Sequence, residues 1–242
     1  MQERYIDSAG SSLWTATQGI GIPVVLCSGG PGCCDYLGPV ADMLNETAQT
    51  ICYELRGCGR SEHATHYSVA TSLADVEAVR QQYGVDQWIV VGHSWGADLA
   101  LIYALEHTDR VLGLVCLSGG RIQNDREWSR VYREKRDAGL EPPPDYDYPP
   151  NMDVNQQVMA SWKAYIQRPT LLKDIASLTL PALFVYGSED IRPSWAVRQV
   201  AHLLPNATFT MLEGAPHDLW LTHAKELKEN LQTFVGSLKA GI

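Results

Sequence analysis

The sequence predicts an α/β fold in which a mostly parallel central sheet is flanked by helices. Three observations carry this. The short apolar runs Ile22 to Cys27, Thr50 to Leu55, Trp88 to Val91, Val111 to Leu117 and Leu183 to Tyr186 lack the alternation of a half-exposed strand, so they read as strands buried on both faces. Between them lie helix-length segments with apolar residues three and four apart. Strands alternating with helices require right-handed crossovers, which set neighbouring strands parallel and place helices on both sides of the sheet. With 242 residues, 45% hydrophobic and 19% charged, the chain suits one globular core and excludes disorder as a general description.

Taken in order, Arg4 to Gln18 reads as a polar antiparallel hairpin at the sheet edge. The run Ile22 to Cys27 leads directly into the glycine-rich turn Ser28-Gly29-Gly30-Pro31-Gly32. Ser68 to Gln82 sets Val69, Leu73, Val76 and Val79 along one helix face, and Leu99 to Leu105 continues a second helical pattern after the strand Trp88 to Val91. After Gly120 the rhythm breaks. Residues 121–179 are polar, charged and aromatic, with two helical pieces flanking the proline-rich stretch Glu141 to Asn151. They are expected to form a small helical cap, a lid over one edge of a core built from residues 1–120 and 180–242. Strand and helix resume at Leu183, a further apolar stretch runs from Ala207 to Leu212, and a helical tail ends the chain.

Charge and composition exclude several partners. Nineteen basic against 28 acidic residues give a formal charge of −9, which repels nucleic acid and anionic membrane surfaces. No apolar run reaches the roughly 18 residues of a membrane helix, and Met1 to Gly10 lack the form of a leader, so a cytoplasmic location is expected. The six cysteines form no C-x-x-C pair. Cys27, Cys52 and Cys116 fall in strand-like runs and read as buried reduced thiols, whereas Cys58, between two glycines, is expected to be the accessible one. His63 and His66 form an H-x-x-H spacing in a polar segment without a third ligand, so no metal site is expected.

The chemistry concentrates at three turns. Gly92-His93-Ser94-Trp95-Gly96 lies between a buried strand and a helix, the context that lifts a serine hydroxyl on a tight turn. Ser94 is the candidate nucleophile, Trp95 N–H one candidate oxyanion donor, and His93 belongs to the turn itself. In the glycine-rich turn Gly30 N–H is the second candidate donor, because Pro31 has no N–H. A serine needs a base, and the base an orienting carboxylate. Asp190 follows the strand ending in Tyr186-Gly187-Ser188, with Glu189 as its competitor. His217 is the only histidine on a loop after a late strand, since His202 and His223 fall in helical stretches. The order Ser94, Asp190, His217 matches one of the known triad orders.

With these residues in view, the chain resembles the α/β-hydrolase superfamily over nearly its whole length, and within it the proline iminopeptidase and related aminopeptidase group. Ser28 to Gly32 resembles that group's His-Gly-Gly-Pro-Gly, Arg56-Gly57-Cys58-Gly59-Arg60-Ser61 its Arg-Gly-Cys-Gly-Arg-Ser loop, and Tyr103 to Val111 the segment after its elbow helix. The resemblance implies a serine hydrolase acting on a small molecule or short peptide, without cofactor or metal. It assigns Ser94 as nucleophile, His217 as base, Asp190 as acid, and Gly30 with Trp95 as oxyanion donors. Three positions depart from the group: Ser28 replaces a histidine that props the loop, Ala97 replaces a second glycine, and Ile166 stands where a Trp-x-x-Trp-Glu pattern carries the glutamate that grips a free amine. Trp128, Trp162 and Tyr165 are expected to supply an apolar cap wall; Glu127, Glu134, Asp145 or Asp147 could take the missing acid's place, although each reads first as a solvated charge. Carboxylesterase or lactonase action uses the same machinery. A triad-using lyase and a non-catalytic small-molecule-binding module are the rivals from other classes.

Overall fold

A computed structural model describes residues 1–142 and 145–239; Pro143 and Pro144, inside the proline-rich stretch, lie outside the described residues. The eight strands are β1 (Gln2–Ser8), β2 (Ser11–Gln18), β3 (Ile22–Cys27), β4 (Ala48–Tyr53), β5 (Trp88–His93), β6 (Val111–Leu117), β7 (Ala182–Gly187) and β8 (Ala207–Leu212). They form one sheet in the order β1-β2-β4-β3-β5-β6-β7-β8, and only the β1 and β2 pairings are antiparallel. The edge hairpin and the parallel centre are therefore as expected, although β4 begins two residues earlier than the run that predicted it.

Successive strand residues feed opposite cores. Val25, Cys27, Val90 and Phe184 pack on the face carrying α2 (Val69–Gln82) and α3 (Trp95–Glu106). Val24, Leu26, Val91 and Val185 pack on the other, under α1 (Gly38–Leu44) and α8 (Trp220–Lys239). Both faces being covered is why these strands read as continuous apolar runs. No helix among the described residues is long and apolar enough to cross a membrane.

Register sets the functional edge. Cys27 pairs with Gly92, His93 with Leu117, Leu117 with Val185, and Gly187 with Leu212. The carboxyl ends of β3, β5, β6, β7 and β8 thus lie side by side, which is where ligands bind in open α/β sheets.

Between β6 and β7 the described residues form three helices, not two: α4 (Arg126–Asp137), α5 (Met152–Tyr165) and α6 (Leu171–Ala176). Asp125 caps α4 by accepting from Trp128 N at 2.8 Å, and Asn151 caps α5 by accepting from Asp153 N and Val154 N. Val154, Val158 and Trp162, spaced one helical turn apart, form the buried face of α5. Asn151 also ties the insertion to the core, its N–H donating to Gly32 O at 2.8 Å and its Nδ2 to Gly57 O at 2.9 Å.

Where the chain leaves β6 it is pinned by Asp98, a fully buried carboxylate in the first turn of α3 that accepts from Gly120 N at 2.9 Å and Arg121 N at 2.8 Å. Burial pushes its pKa up to about 6, against the pull of Arg121 and the two N–H donors. A folded-state pKa above the unfolded value means stability that is full below about pH 4 and is lost as pH rises through about 6. Asp98→Asn keeps the acceptor oxygen and removes the titration. The variant's denaturant midpoint should lack the decline attributable to this group between those limits, a difference on the order of 2–3 kcal/mol.

Candidate active site

Ser94 closes β5 and opens α3 with φ 56° and ψ −125°, a left-handed conformation that costs a non-glycine residue about 1–3 kcal/mol. The turn is fixed by Ser94 N–H donating to Leu117 O and Ala97 N–H to Ser94 O. Close approach explains its glycines: a Cβ on Gly96 would stand 2.0 Å from Cys27 O, and one on Gly119 2.0 Å from Ser94 O. Ala97 fits, fully buried against the same core.

Asp190 and His217 meet at this edge. His217 Nδ1 lies 2.6 Å from Asp190 Oδ2, both side chains being buried, whereas Glu189 is exposed. Burial would raise the Asp190 pKa, but His217 and Arg192 outweigh it and hold the carboxyl below its ordinary range. Asp190 Oδ1 accepts from Arg192 N at 2.8 Å and Arg192 Nη1 at 3.1 Å. Among the described residues no hydrogen bond joins Ser94 Oγ to His217, a contact that often tightens only when substrate binds.

The glycine-rich turn is held without the usual histidine. Ser28 Oγ donates to Asp35 Oδ1 at 2.8 Å, and Gly29 N–H donates to the Tyr36 hydroxyl at 2.7 Å. That hydroxyl, having accepted, gives its own proton to His93 Nδ1 at 2.8 Å. His93 Nε2–H then donates to His217 O at 3.2 Å, and Ser118 Oγ donates to the same carbonyl at 2.7 Å. Burial, followed by the neighbouring His217, holds the His93 pKa well below that of an ordinary histidine, so the ring is a neutral strut between the turn and the His217 backbone. Among the described residues neither Gly30 N–H nor Trp95 N–H has an acceptor, and Gly30 adopts φ 57°.

The insertion residues divide between solvent and the core. Glu127 and Glu134 are exposed and both pair with Arg130 along α4, at 2.5 and 2.6 Å. Trp162 is fully buried between Val69 and Ile102, and the Tyr165 hydroxyl donates to Glu106 Oε1 at 2.6 Å; both fasten the insertion to the core. Trp128 donates from Nε1 to Pro193 O at 2.9 Å and carries the Arg121 guanidinium on its ring. Asp145 and Asp147 are both exposed. Cys58 is corrected as well: it is fully buried under the Arg56-to-Ser61 loop, and Cys33, beside Gly30, is the half-buried thiol. His63 and His66 are exposed.

Two clefts of about 830 and 720 Å³ flank the insertion, one between α6 and α7 (Trp195–Leu203), the other beside the Gly57-to-Gly59 loop. Ser94, Asp190 and His217 line neither. Two sets of ligand-type atoms lie within 4.8 Å of one another, His93 with His217 and Asp218, and Glu141 with Asp190 and His217. In the second set both carboxylates are already engaged by the Arg192 guanidinium, and in the first His93 spends both ring nitrogens on the strut. Neither donor set is left open for a metal.

Fold and site together define an α/β hydrolase. The α/β-hydrolase-fold family model matches residues 22–148, and the chain belongs to that family. Within it the chain is similar to proline iminopeptidases. That of Neisseria gonorrhoeae is 36% identical over 104 residues, covering 39% of this chain and 32% of that protein. The matched stretch thus spans about a third of the relative's own length. That of Lactobacillus delbrueckii subsp. lactis is 26% identical over 246 residues, covering 81% of this chain and 83% of the relative. The crystal structure of proline iminopeptidase from Mycobacterium smegmatis superposes with a TM-score of 0.74 over 99% of both chains at 17% identity.

Proposed function

We propose that the protein is a serine hydrolase that cleaves an ester or amide bond of a small substrate through an acyl-enzyme. The observation that carries this is the placement of Ser94, on a strained elbow, in the same row of strand ends as the His217–Asp190 pair. Ser94 Oγ attacks the carbonyl carbon while His217 Nε2 takes its proton. Gly30 N–H and Trp95 N–H receive the oxyanion. The intermediate collapses as His217 returns the proton to the leaving group, and water repeats the cycle on the acyl-enzyme. Asp190 keeps the proton on His217 Nδ1 so that Nε2 faces the serine as an acceptor. The insertion 121–179 serves as the cap. A fluorophosphonate should form one adduct, on Ser94, located by mass spectrometry; no adduct in folded protein would leave only the binding-module reading.

The engaged acids of the cap favour ester or lactone substrates over aminoacyl amides. Glu127 and Glu134 are paired with Arg130, and Glu141 with Arg192, while Ile166 offers no charge. An ammonium brought into a partly buried site without a carboxylate costs several kcal/mol. A short-chain ester should therefore show a higher kcat/KM than a prolyl amide, and N-acetylating the amide should change kcat/KM by less than about tenfold. Strong preference for the free-amine prolyl amide would restore aminopeptidase action.

A further inference from the structure

Glu141 and Arg192 take no part in the steps above, yet they join the insertion to the acid. Glu141 follows α4, and its two carboxylate oxygens accept from Arg192 Nη1 at 2.7 Å and Nη2 at 2.9 Å. The same Nη1 reaches Asp190 Oδ1, whose partner oxygen is the one bound to His217. Two more contacts hold this segment from the insertion side: the Tyr132 ring lies 4.8 Å from the Arg192 guanidinium, and Trp128 Nε1 donates to Pro193 O. The Asp190 side chain is wholly buried, and those of Arg192 and Glu141 are 16% and 25% exposed, so the chain of charges is shielded from bulk water.

We propose that Glu141 and Arg192 form a latch through which the insertion fixes the orientation of Asp190 and sets the charge around His217, with Arg192 as the positioning residue. The proposal rests on the Ser94–His217–Asp190 reading. A carboxylate gripped on Oδ1 by a backbone N–H and a guanidinium cannot rotate, so Oδ2 stays aimed at His217 Nδ1. The guanidinium is in turn gripped by the two-pronged pair with Glu141, a geometry a lysine cannot reproduce.

Charge counting separates this role from simple bracing. The groups facing His217 are Asp190, the neutral His93 ring with its centroid 4.7 Å away, Asp218, whose Oδ1 is 3.5 Å from His93 Nε2, and the latch pair. Asp190, Arg192 and Glu141 sum to one negative charge beside the imidazole. Without Glu141 the sum is zero, and without Arg192 it is two negative charges. An imidazolium forms less readily in the first case and more readily in the second, and protonation of that ring removes the base.

The test is the pH profile of kcat/KM on a chromogenic ester for the wild type, Glu141→Gln, Arg192→Gln and Arg192→Lys. The acid limb should move down by on the order of half a pH unit in Glu141→Gln and up by a similar amount in Arg192→Gln. Arg192→Lys should keep the wild-type limb, because the charge remains, while kcat falls several-fold because the fork is lost. Superimposed limbs, or both moving the same way, would overturn the latch, since bracing alone lowers kcat without opposite shifts. If Arg192→Gln does not fold, an unmoved limb in Glu141→Gln overturns it alone. Fluorophosphonate labelling of wild-type Ser94 separates the two failures: a labelled, active enzyme with unmoved limbs defeats only the latch, and an unlabelled one defeats the triad reading beneath it.

Discussion

Ser94→Ala should lower kcat by about 10⁶ and abolish fluorophosphonate labelling while leaving the fold unchanged. The loss is this large because the acyl-enzyme route disappears altogether, leaving water to attack with help from Gly30 and Trp95 N–H and from binding alone. The fold is expected to survive because Ser94 Oγ makes no hydrogen bond among the described residues, and alanine meets the same penalty at φ 56° as serine does. An unfolding free energy within about 0.5 kcal/mol of wild type, measured beside the turnover, would show that the hydroxyl alone was removed. Turnover surviving at wild-type level would assign the nucleophile to another residue. The half-buried Cys33, one thiol within reach of the turn, then becomes the side chain to examine.

Much of this arrangement was legible in the sequence because its causes are local. Runs such as Trp88 to Val91 announce a strand buried on both faces, and the glycines around Ser94 mark a turn where backbones approach to contact. The helix α1 was not legible: at seven residues with Pro39 in its first turn, it is too short for a periodic pattern. The fate of two cap acids was written in the spacing, for Glu127, Arg130 and Glu134 stand three and four apart on α4 and pair along its surface. Likewise Val154, Val158 and Trp162 share one face of α5, which buries the tryptophan against the core. What no local pattern reveals is the set of contacts made at long separation. Tyr36 bracing His93 and Glu141 gripping Arg192 join residues 57 and 51 positions apart, brought together only when the strand ends align. Tyr36 lies just after the glycine-rich turn and Arg192 two residues after Asp190, and that proximity was the only sign of them.

Asp190→Asn should lower kcat by about 10⁴ without disturbing the fold, and the reason lies in which oxygen the neighbours demand. Asp190 Oδ1 accepts two donors, the N–H and the Nη1 of Arg192. An asparagine must keep its carbonyl oxygen toward them, since turning its amide there would set N–H against N–H beside a buried guanidinium. Its NH₂ group is then aimed at His217 Nδ1, where the aspartate oxygen had been. The imidazole answers by accepting at Nδ1 and carrying its proton on Nε2, so that it faces Ser94 as a donor and cannot take the serine proton. The His217 backbone stays in place regardless, because its carbonyl is held by Ser118 Oγ and His93 Nε2. The defect is thus one of tautomer, and KM should change far less than kcat. Glu189→Gln, at an exposed position on the same turn, should retain turnover within a few-fold of wild type. Near-normal turnover in Asp190→Asn together with loss in Glu189→Gln would transfer the acid's role to Glu189, and with it the orientation of His217 would have to come from outside the pair seen at 2.6 Å.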